Sequence, residues 1–451
     1  MVANVALRKK IATTAYSTIR PRMLKYLKQL NRLQWLSVDE QVFLQQRHLA
    51  QLLSYANTYV PFYRDLFKDV GFHPSDFIAD PACFHELPLL TKEIVQVQHD
   101  RLITTEPRRR GHLVKGQTGG TTGEPMKFMQ DRRFLDWRRA CTFHVMGAAS
   151  WEPGSPQGWL WGDILVRSTS WLATIMRKLE NWVVFKFNSN AFHLTDPSMT
   201  EFAAALERFP ETVIWSYPSI AYSFARFVET KARNMVLGAV FTTAEPLYEY
   251  QREYIEEVLD CPVFNCYGTL EVGHIACECD RHRGLHTLMR NCYVEVLRDG
   301  EVVPDGHEGE FVVTNLTNLA FPFIRYRLED WGMKSASPCT CGRGLPLLQV
   351  VQGRVIDFFK TRDRGRVWAA FLAPMMASLG DIKQFQIVQE SVDLIVFRLI
   401  MERGKIQHSK FQQIQQACRI AMGNTVEARI EYVDALPSTP RGKHRFLVST
   451  V

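Results

Sequence analysis

The sequence predicts an α/β fold: a large domain of β-sheets flanked by helices, followed by a small α+β unit. Three observations carry that expectation. From Leu87 onward, short apolar runs broken by Gly and Pro alternate with longer stretches of helical spacing, the texture of strands interleaved with helices. Residues 37 to 70 instead keep helical spacing alone. Beyond Gly353 a second, shorter set of strand and helix patterns begins, enough for a unit that folds semi-independently. A chain of 451 residues is too long for one ordinary core, and two or three domains are expected. The boundaries drawn are a helical arm at 1–85 packed on the large domain, the core at 86–353 and the small unit at 354–451.

The elements follow in order. The first thirty-five residues hold the densest basic run, including Arg8, Lys9 and Lys10. Such a segment either rests on an anionic membrane surface or partner, or packs as a solvated helix on its own domain. Ser37-Val-Asp-Glu40 is a capping box, in which both side chains satisfy orphan amides at a helix start. Val42, Leu44, Leu49, Leu52 and Leu53 then recur at helical spacing. Strands are predicted at Gly158 to Val166, Val213 to Trp215, Ala239 to Thr242, Val263 to Cys266, Tyr293 to Leu297 and Glu310 to Thr314. Helices are predicted at Thr200 to Glu207, Ile220 to Thr230 and Tyr248 to Leu259. In the last unit, strands at Gln384 to Val388, Asp393 to Leu399 and Glu427 to Val433 surround a helix at Lys410 to Met422.

Composition narrows the class. Hydrophobic residues make up 46% and charged residues 22%, a globular balance. The longest charge-free apolar stretches, such as Val367 to Gly380, fall short of the roughly 20 residues that span a bilayer. Thr13, Thr14, Ser17 and Arg20 interrupt any secretory apolar core, so a cytoplasmic location is expected. Ten cysteines, four of them in two C-x-C pairs, do not make a disulfide scaffold in a chain this size. The net charge of +7 is spread along the chain, which argues against a nucleic-acid surface.

Two local patterns carry chemistry. Gln117-Thr-Gly-Gly-Thr-Thr-Gly-Glu-Pro-Met-Lys-Phe128 is a glycine and threonine loop. Gly119, Gly120 and Gly123 let the backbone approach phosphate oxygens, while Thr118, Thr121 and Thr122 add hydroxyl donors. A plain turn between two strands would read similarly. It is not a Walker A loop, because Lys127 follows Gly123 by four positions without a Ser or Thr behind it. The second pattern is Cys277-Glu-Cys279, then His286, then Cys339-Thr-Cys341. Thiolates and an imidazole without a carboxylate describe a closed structural zinc site; reduced cysteines packed in loops are the alternative.

Downstream of the loop come Phe241-Thr-Thr-Ala-Glu-Pro246, Tyr267-Gly-Thr-Leu-Glu271, Arg325-Tyr-Arg-Leu-Glu-Asp330, Gly353-Arg-Val-Ile-Asp357 and Pro437-Ser-Thr-Pro-Arg-Gly-Lys443. Leu87-Pro-Leu-Leu-Thr-Lys92 precedes it. This ordered series resembles the adenylate-forming ligases, and within them the phenylacetate-CoA ligase branch with its CapK-like relatives. The resemblance runs from about Trp35 to the C-terminus. It implies an adenylate-forming core and a small mobile C-terminal lid.

The roles that follow are those the resemblance implies. Thr118 to Gly123 wrap the β- and γ-phosphates of ATP. Glu245 and Pro246 line the adenine, and Tyr267 stacks on it, with Gly268 and Thr269 in the same nucleotide segment. Glu271 holds Mg²⁺, a hard ion suited to a carboxylate between phosphates. Asp330 accepts from both ribose hydroxyls, and Arg354 lies near the ribose and the hinge. Lys443 reaches the α-phosphate and the acid's carboxylate, offsetting charge that builds in the transition state. Tyr217, Pro218 and Ser219 line the acid pocket, which the surrounding aromatics suit to an apolar or aryl acid.

The hinge departs from the common Gly-Arg-x-Asp, since Ile356 takes the acid's place and Asp357 follows it. Relatives with a similar Cys and His pairing favour Cys279, His286, Cys339 and Cys341 as zinc ligands, with Cys277 or His282 as substitutes. The implied activity is ATP-dependent formation of an acyl- or aryl-adenylate with release of pyrophosphate, then transfer to a thiol acceptor, coenzyme A. Arg362, Arg364 and Arg366 would meet its phosphates. Transfer to an amine, or a catalytically idle scaffold of the same fold, are the alternatives. The state expected is a monomer or homodimer.

Overall fold

The computed structural model describes residues 2–117, 126–161, 181–182, 184–190, 196–354, 358–362, 366–368, 372, 376, 382–436 and 447–451. The longer helices are α1 (Val2–Ile19), α2 (Pro21–Leu33), α3 (Val38–Tyr59), α4 (Pro61–Asp69), α5 (Arg132–Met146), α6 (Asp196–Arg208), α7 (Pro218–Thr230), α8 (Glu249–Leu259) and α9 (His408–Met422). Strands β1 (Leu113–Gln117) and β2 (Lys127–Asp131) form a separate hairpin. The parallel strands are β3 (Gln157–Trp161), β4 (Lys186–Asn190), β5 (Thr212–Ser216), β6 (Leu237–Thr243) and β7 (Val263–Thr269). The antiparallel ones are β8 (Gly273–Glu278), β9 (Leu285–Thr287), β10 (Cys292–Arg298), β11 (Glu301–Val302), β12 (Glu308–Asn315), β13 (Tyr326–Lys334) and β14 (Leu347–Arg354).

These last twelve form one sheet in the order β11-β10-β12-β13-β14-β9-β8-β7-β6-β5-β3-β4. It is a fusion of two halves. The parallel half, with helices α6, α7 and α8 between its strands, is the α/β pattern the sequence predicts. The other half, β10 to β14, joins the remaining strands only where β14 pairs with β9, through Leu347↔His286 and Leu348↔Leu285, while β8 and β9 extend the parallel half by antiparallel pairing from β7. Such a short junction lets the halves fold toward each other. The Leu87–Lys92 stretch crosses the antiparallel half, with Leu90 paired to Tyr326.

In the parallel half the pairing aligns Trp159 with Trp215, Trp215 with Phe241 and Phe241 with Phe264. Their rings stack at centroid separations of 5.7, 5.2 and 4.9 Å, and the Lys186 ammonium lies 3.8 Å from the Trp159 ring. Side chains on one face of paired strands meet this way because the strand period is two. Trp137, Cys141 and Phe143 of α5 cover this ladder. On the opposite face, Leu160, Ile214 and Val240 pack against α6, α7 and α8.

The capping box at Ser37 forms, with Ser37 N donating to Glu40 and Glu40 N to Ser37 Oγ. The buried stripe of α3 differs in one respect. Leu49, Leu52 and Leu53 are buried, yet Val42 is exposed while Gln41 and Gln45 are buried. The glutamines occupy apolar ground because their amides donate to backbone carbonyls, Gln41 to Leu33 and Gln45 to Met289 and Cys292. The basic arm spends its apolar stripe on its own chain: Met23, Leu27 and Leu30 of α2 sit in one core with α5, and Arg20 pairs with Asp136 at 3.0 Å. Among the described residues no helix is long and apolar enough to cross a membrane.

The C-terminal unit contains β17 to β20 by chain order, once the short hairpin β15 (Phe358–Lys360) and β16 (Arg366–Trp368) is counted. These are β17 (Ile382–Ser391), β18 (Leu394–Met401), β19 (Glu427–Tyr432) and β20 (Leu447–Ser449), in the order β19-β18-β17-β20. With α9 they enclose a core of Ile387, Ile395, Phe397, Ile414 and Cys418, which also takes in Tyr248 from the large domain. Arg226 of α7 pairs with Glu402 at 2.9 Å.

Tyr63 ties α4 to the antiparallel half. Fully buried, its hydroxyl donates to Pro322 O and accepts from Ile324 N, each at 3.0 Å. Tyr63→Phe leaves both backbone groups unsatisfied and is expected to cost about 1–3 kcal/mol, read as a lowered denaturation midpoint with an unchanged slope.

Candidate nucleotide site and metal centre

The bend between the sheet halves brings β7 over β13. The Tyr267 hydroxyl donates to Asp330 Oδ2 at 2.6 Å, and its ring packs on Phe311 at 5.8 Å between centroids. Asp330 faces Arg354 across the β13–β14 pairing. Glu271, at the turn between β7 and β8, is buried and accepts from the Tyr326 hydroxyl at 3.5 Å. Tyr326 is set there by its neighbour: Arg325 adopts φ +49°, held by Thr314 Oγ1 at its N–H and by Glu295 at its guanidinium. Its carbonyl receives Leu90 N–H. A left-handed non-glycine residue costs on the order of 1 kcal/mol or more, offset here by those bonds.

Gly268 and Thr269 have structural duties that the motif alone did not disclose. A Cβ on Gly268 would lie 2.4 Å from Gly273 O, so only glycine lets the two strands approach. Thr269 Oγ1 accepts from Val272 N at 3.1 Å and closes the turn that presents Glu271. At the C-terminal ends of the parallel strands, Glu245 Oε2 accepts from Ser219 N at 3.2 Å. Pro218 and Ser219 open α7, and Tyr217 stacks on Trp161 at 4.4 Å. Segments assigned to adenine and to acid are therefore adjacent. Pro246 follows Glu245 into the loop before α8. Thr118 to Gly123, Asp357, Arg364 and Lys443 lie outside the described residues, as does the side chain of Arg354. Arg362 pairs with Asp393.

The four favoured metal ligands converge. One ligand atom from each of Cys279, His286, Cys339 and Cys341 lies within 4.8 Å of every other. Cys279 Sγ and Cys339 Sγ are 3.8 Å apart, and Cys341 Sγ is 3.3 Å from His286 Nε2. A tetrahedral zinc with bonds of about 2.3 Å to sulfur and about 2.0 Å to nitrogen asks for separations of roughly 3.8 and 3.5 Å. His286 Nδ1 donates to Leu345 O at 3.0 Å, which fixes the tautomer with Nε2 as the donor atom to metal. Burial holds this imidazole below its ordinary range, so it stays neutral, against that same hydrogen bond. Cys277 and His282 have other neighbours. Cys277 Sγ lies 3.9 Å from His274 Nδ1 and pairs across the ladder with Cys266, and His282 Nδ1 contacts Glu278 at 3.1 Å.

Sequence reasoning missed what this cluster holds. Arg343, between Cys341 and Gly344, donates to Gln34 Oε1 at 2.8 Å and lies 4.8 Å over the Trp35 ring. Gly344 N donates to Gln34 O, and a Cβ on Gly344 would strike Leu36 O at 1.9 Å. A glycine after Cys-x-Cys-Gly-Arg was the available signal.

A twelve-stranded bent sheet, a Tyr-Asp closure at its bend and a small C-terminal α+β unit make up the adenylate-forming ligase fold. 2-Hydroxyisobutyryl-CoA ligase in the postadenylation state with 2-HIB-AMP superposes at a TM-score of 0.71 with 19% identity, covering 90% of this chain and 88% of that one. The same enzyme in the thioesterification state gives 0.59 at 20% identity, over 91% and 90%. Within that class the named relatives are more particular. Residues 359–450 match the family described as CapK C-terminal domain. Protein CapK of Staphylococcus aureus is 22% identical over 421 residues, 90% of this chain and 89% of that protein. The phenylacetate-coenzyme A ligase of Thermus thermophilus is 26% identical over 356 residues, 76% of this chain and 77% of the enzyme. The resemblance read from the motifs and the α/β class are both borne out.

Zinc analysis of the purified chain is expected to find about one equivalent. Cys341→Ser and His286→Ala should lose it, whereas Cys277→Ser should keep it; a Cys277→Ser protein without zinc would place the site elsewhere.

Proposed function

We propose that the chain is an AMP-forming acid ligase, which converts ATP and a carboxylic acid to an acyl- or aryl-adenylate and pyrophosphate and then passes the acyl group to coenzyme A. The observation that carries this reading is the convergence of Tyr267, Glu271, Tyr326 and Asp330 at the sheet bend, in a chain with the ligase fold. Adenine stacks against Tyr267, and the Asp330 carboxylate accepts from the ribose hydroxyls. Glu271 holds Mg²⁺, which supplies charge neutralisation for the phosphates. Lys443 comes from the C-terminal unit to the α-phosphate. The acid's carboxylate oxygen attacks that phosphorus, and the bond to the pyrophosphate oxygen breaks.

The acid enters beside Tyr217, Pro218 and Ser219, where Trp161 and Tyr217 offer stacked apolar faces. The C-terminal unit then turns about residues 353 to 358 and withdraws Lys443, opening the site to the thiol. The higher overlap with a postadenylation structure than with a thioesterification one supports the adenylation orientation of that unit here. Zinc at Cys279, His286, Cys339 and Cys341 is structural, since the four protein ligands leave no open position.

Trapping the adenylate with hydroxylamine across a panel of acids tests this without knowledge of the acceptor. The wild type should form hydroxamate with at least one acid, and Lys443→Ala should lower acid-dependent pyrophosphate exchange roughly 10²- to 10³-fold. No hydroxamate and no ATP binding would sink the reading. An active chain that ignores coenzyme A and accepts an amine would replace the thiol acceptor alone.

A further inference from the structure

On α5, Arg138 carries a charge that no role so far employs. Its stem lies over Gly273: a Cβ there would come 3.3 Å from Arg138 Cγ and 3.6 Å from its Nε, and Gly273 takes φ +83°. Arg138 Nη1 donates to Gln130 Oε1 at 3.0 Å, and the guanidinium stands 5.7 Å from the Phe134 ring centroid. Gln130 is on β2, with its amide close against Gly116 of β1, where a Cβ would fall 2.4 Å from Gln130 Nε2. Arg138 thus lies between β2, the strand that leaves the glycine-threonine loop, and the start of β8, two residues after Glu271.

Among the described residues Arg138 makes no contact ion pair. Burial lowers its pKa, and the charge whose field most opposes that lowering is Glu271. A half-buried guanidinium with a neutral amide as its hydrogen-bond acceptor is under-compensated. An anion seated between it and the Glu271 carboxylate's metal would recover that cost. The basic side chain of β2, Lys127, is exposed.

We propose that Arg138 is the large domain's own phosphate cation, contacting the β- and γ-phosphates of ATP and then the pyrophosphate they become; this rests on the adenylation reading. As the carboxylate oxygen bonds to the α-phosphorus, the electron pair of the breaking bond stays on pyrophosphate, and Arg138 meets that charge. Lys443 leaves with the lid, whereas Arg138 stays on α5.

Titration calorimetry of magnesium pyrophosphate into the full chain tests this directly. Arg138→Gln should weaken binding roughly ten- to a hundred-fold, and Arg138→Lys should recover part of the loss. In hydroxamate assays Arg138→Gln should raise KM for ATP and leave that for the acid unchanged, with an unaltered thermal melt as the folding control. The proposal is overturned if wild type fails to bind magnesium pyrophosphate, if Arg138→Gln binds it equally well, or if the defect falls on the acid's KM alone. Arginine-dependent pyrophosphate binding without hydroxamate for any acid would retain the phosphate site and remove the ligase reading.

Discussion

The rest of the structure depends on how a twelve-stranded sheet survives a junction of two residue pairs. Among the described strands, Leu347 and Leu348 against His286 and Leu285 are the ladder pairs that join β10 to β14 to the other seven strands, and the bend they permit is what brings Tyr267 to Asp330. The Cys and His cluster sits on that seam. Cys279 follows β8, His286 is in β9, and Cys339 and Cys341 precede β14. A metal held there would contribute folding energy where hydrogen bonds are few, and would tie together the two walls of the proposed nucleotide site. Through Arg343 and Gly344 the same loop grips the turn between α2 and α3. The sheet bend, the Cys and His cluster and the helical arm are therefore linked through one loop.

Much of this was legible in the sequence where a local rule decides the outcome. The capping box at Ser37, helices α6 to α8 and strands β5, β6, β7, β10 and β12 follow from periodicity and flanking breakers. The meeting of Cys279, His286, Cys339 and Cys341 was legible because ligand chemistry restricts residue type more sharply than packing does. The Tyr267 and Asp330 contact was not, since 63 positions separate them and a bend in the sheet, set by register, unites them.

Strands β8, β9, β13 and β14 escaped for a related reason. Their residues, such as Gly273, His274, His286 and Glu329, are chosen by ligation, turns and close approach rather than by an apolar face. Helix α5 escaped because Arg132, Arg133, Arg138 and Arg139 disguise it as a charged stretch, although Phe134, Trp137 and Cys141 keep its buried stripe. Gln41 and Gln45 show the same limit in the arm: a polar residue reads as exposed until its carbonyl partner is known.

The stacked ladder from Trp159 to Phe264 also limits how this protein can change. Four strands share one alignment, so a single-residue insertion or deletion in any of them would turn its aromatic to the opposite face and unseat its neighbours. Length variation in this half is therefore confined to the connections beyond the strand ends. Those connections include the Tyr217 and Glu245 segments. Divergence toward new acids is thereby channelled into the loops that would touch them, while the rigid platform beneath is inherited as a block.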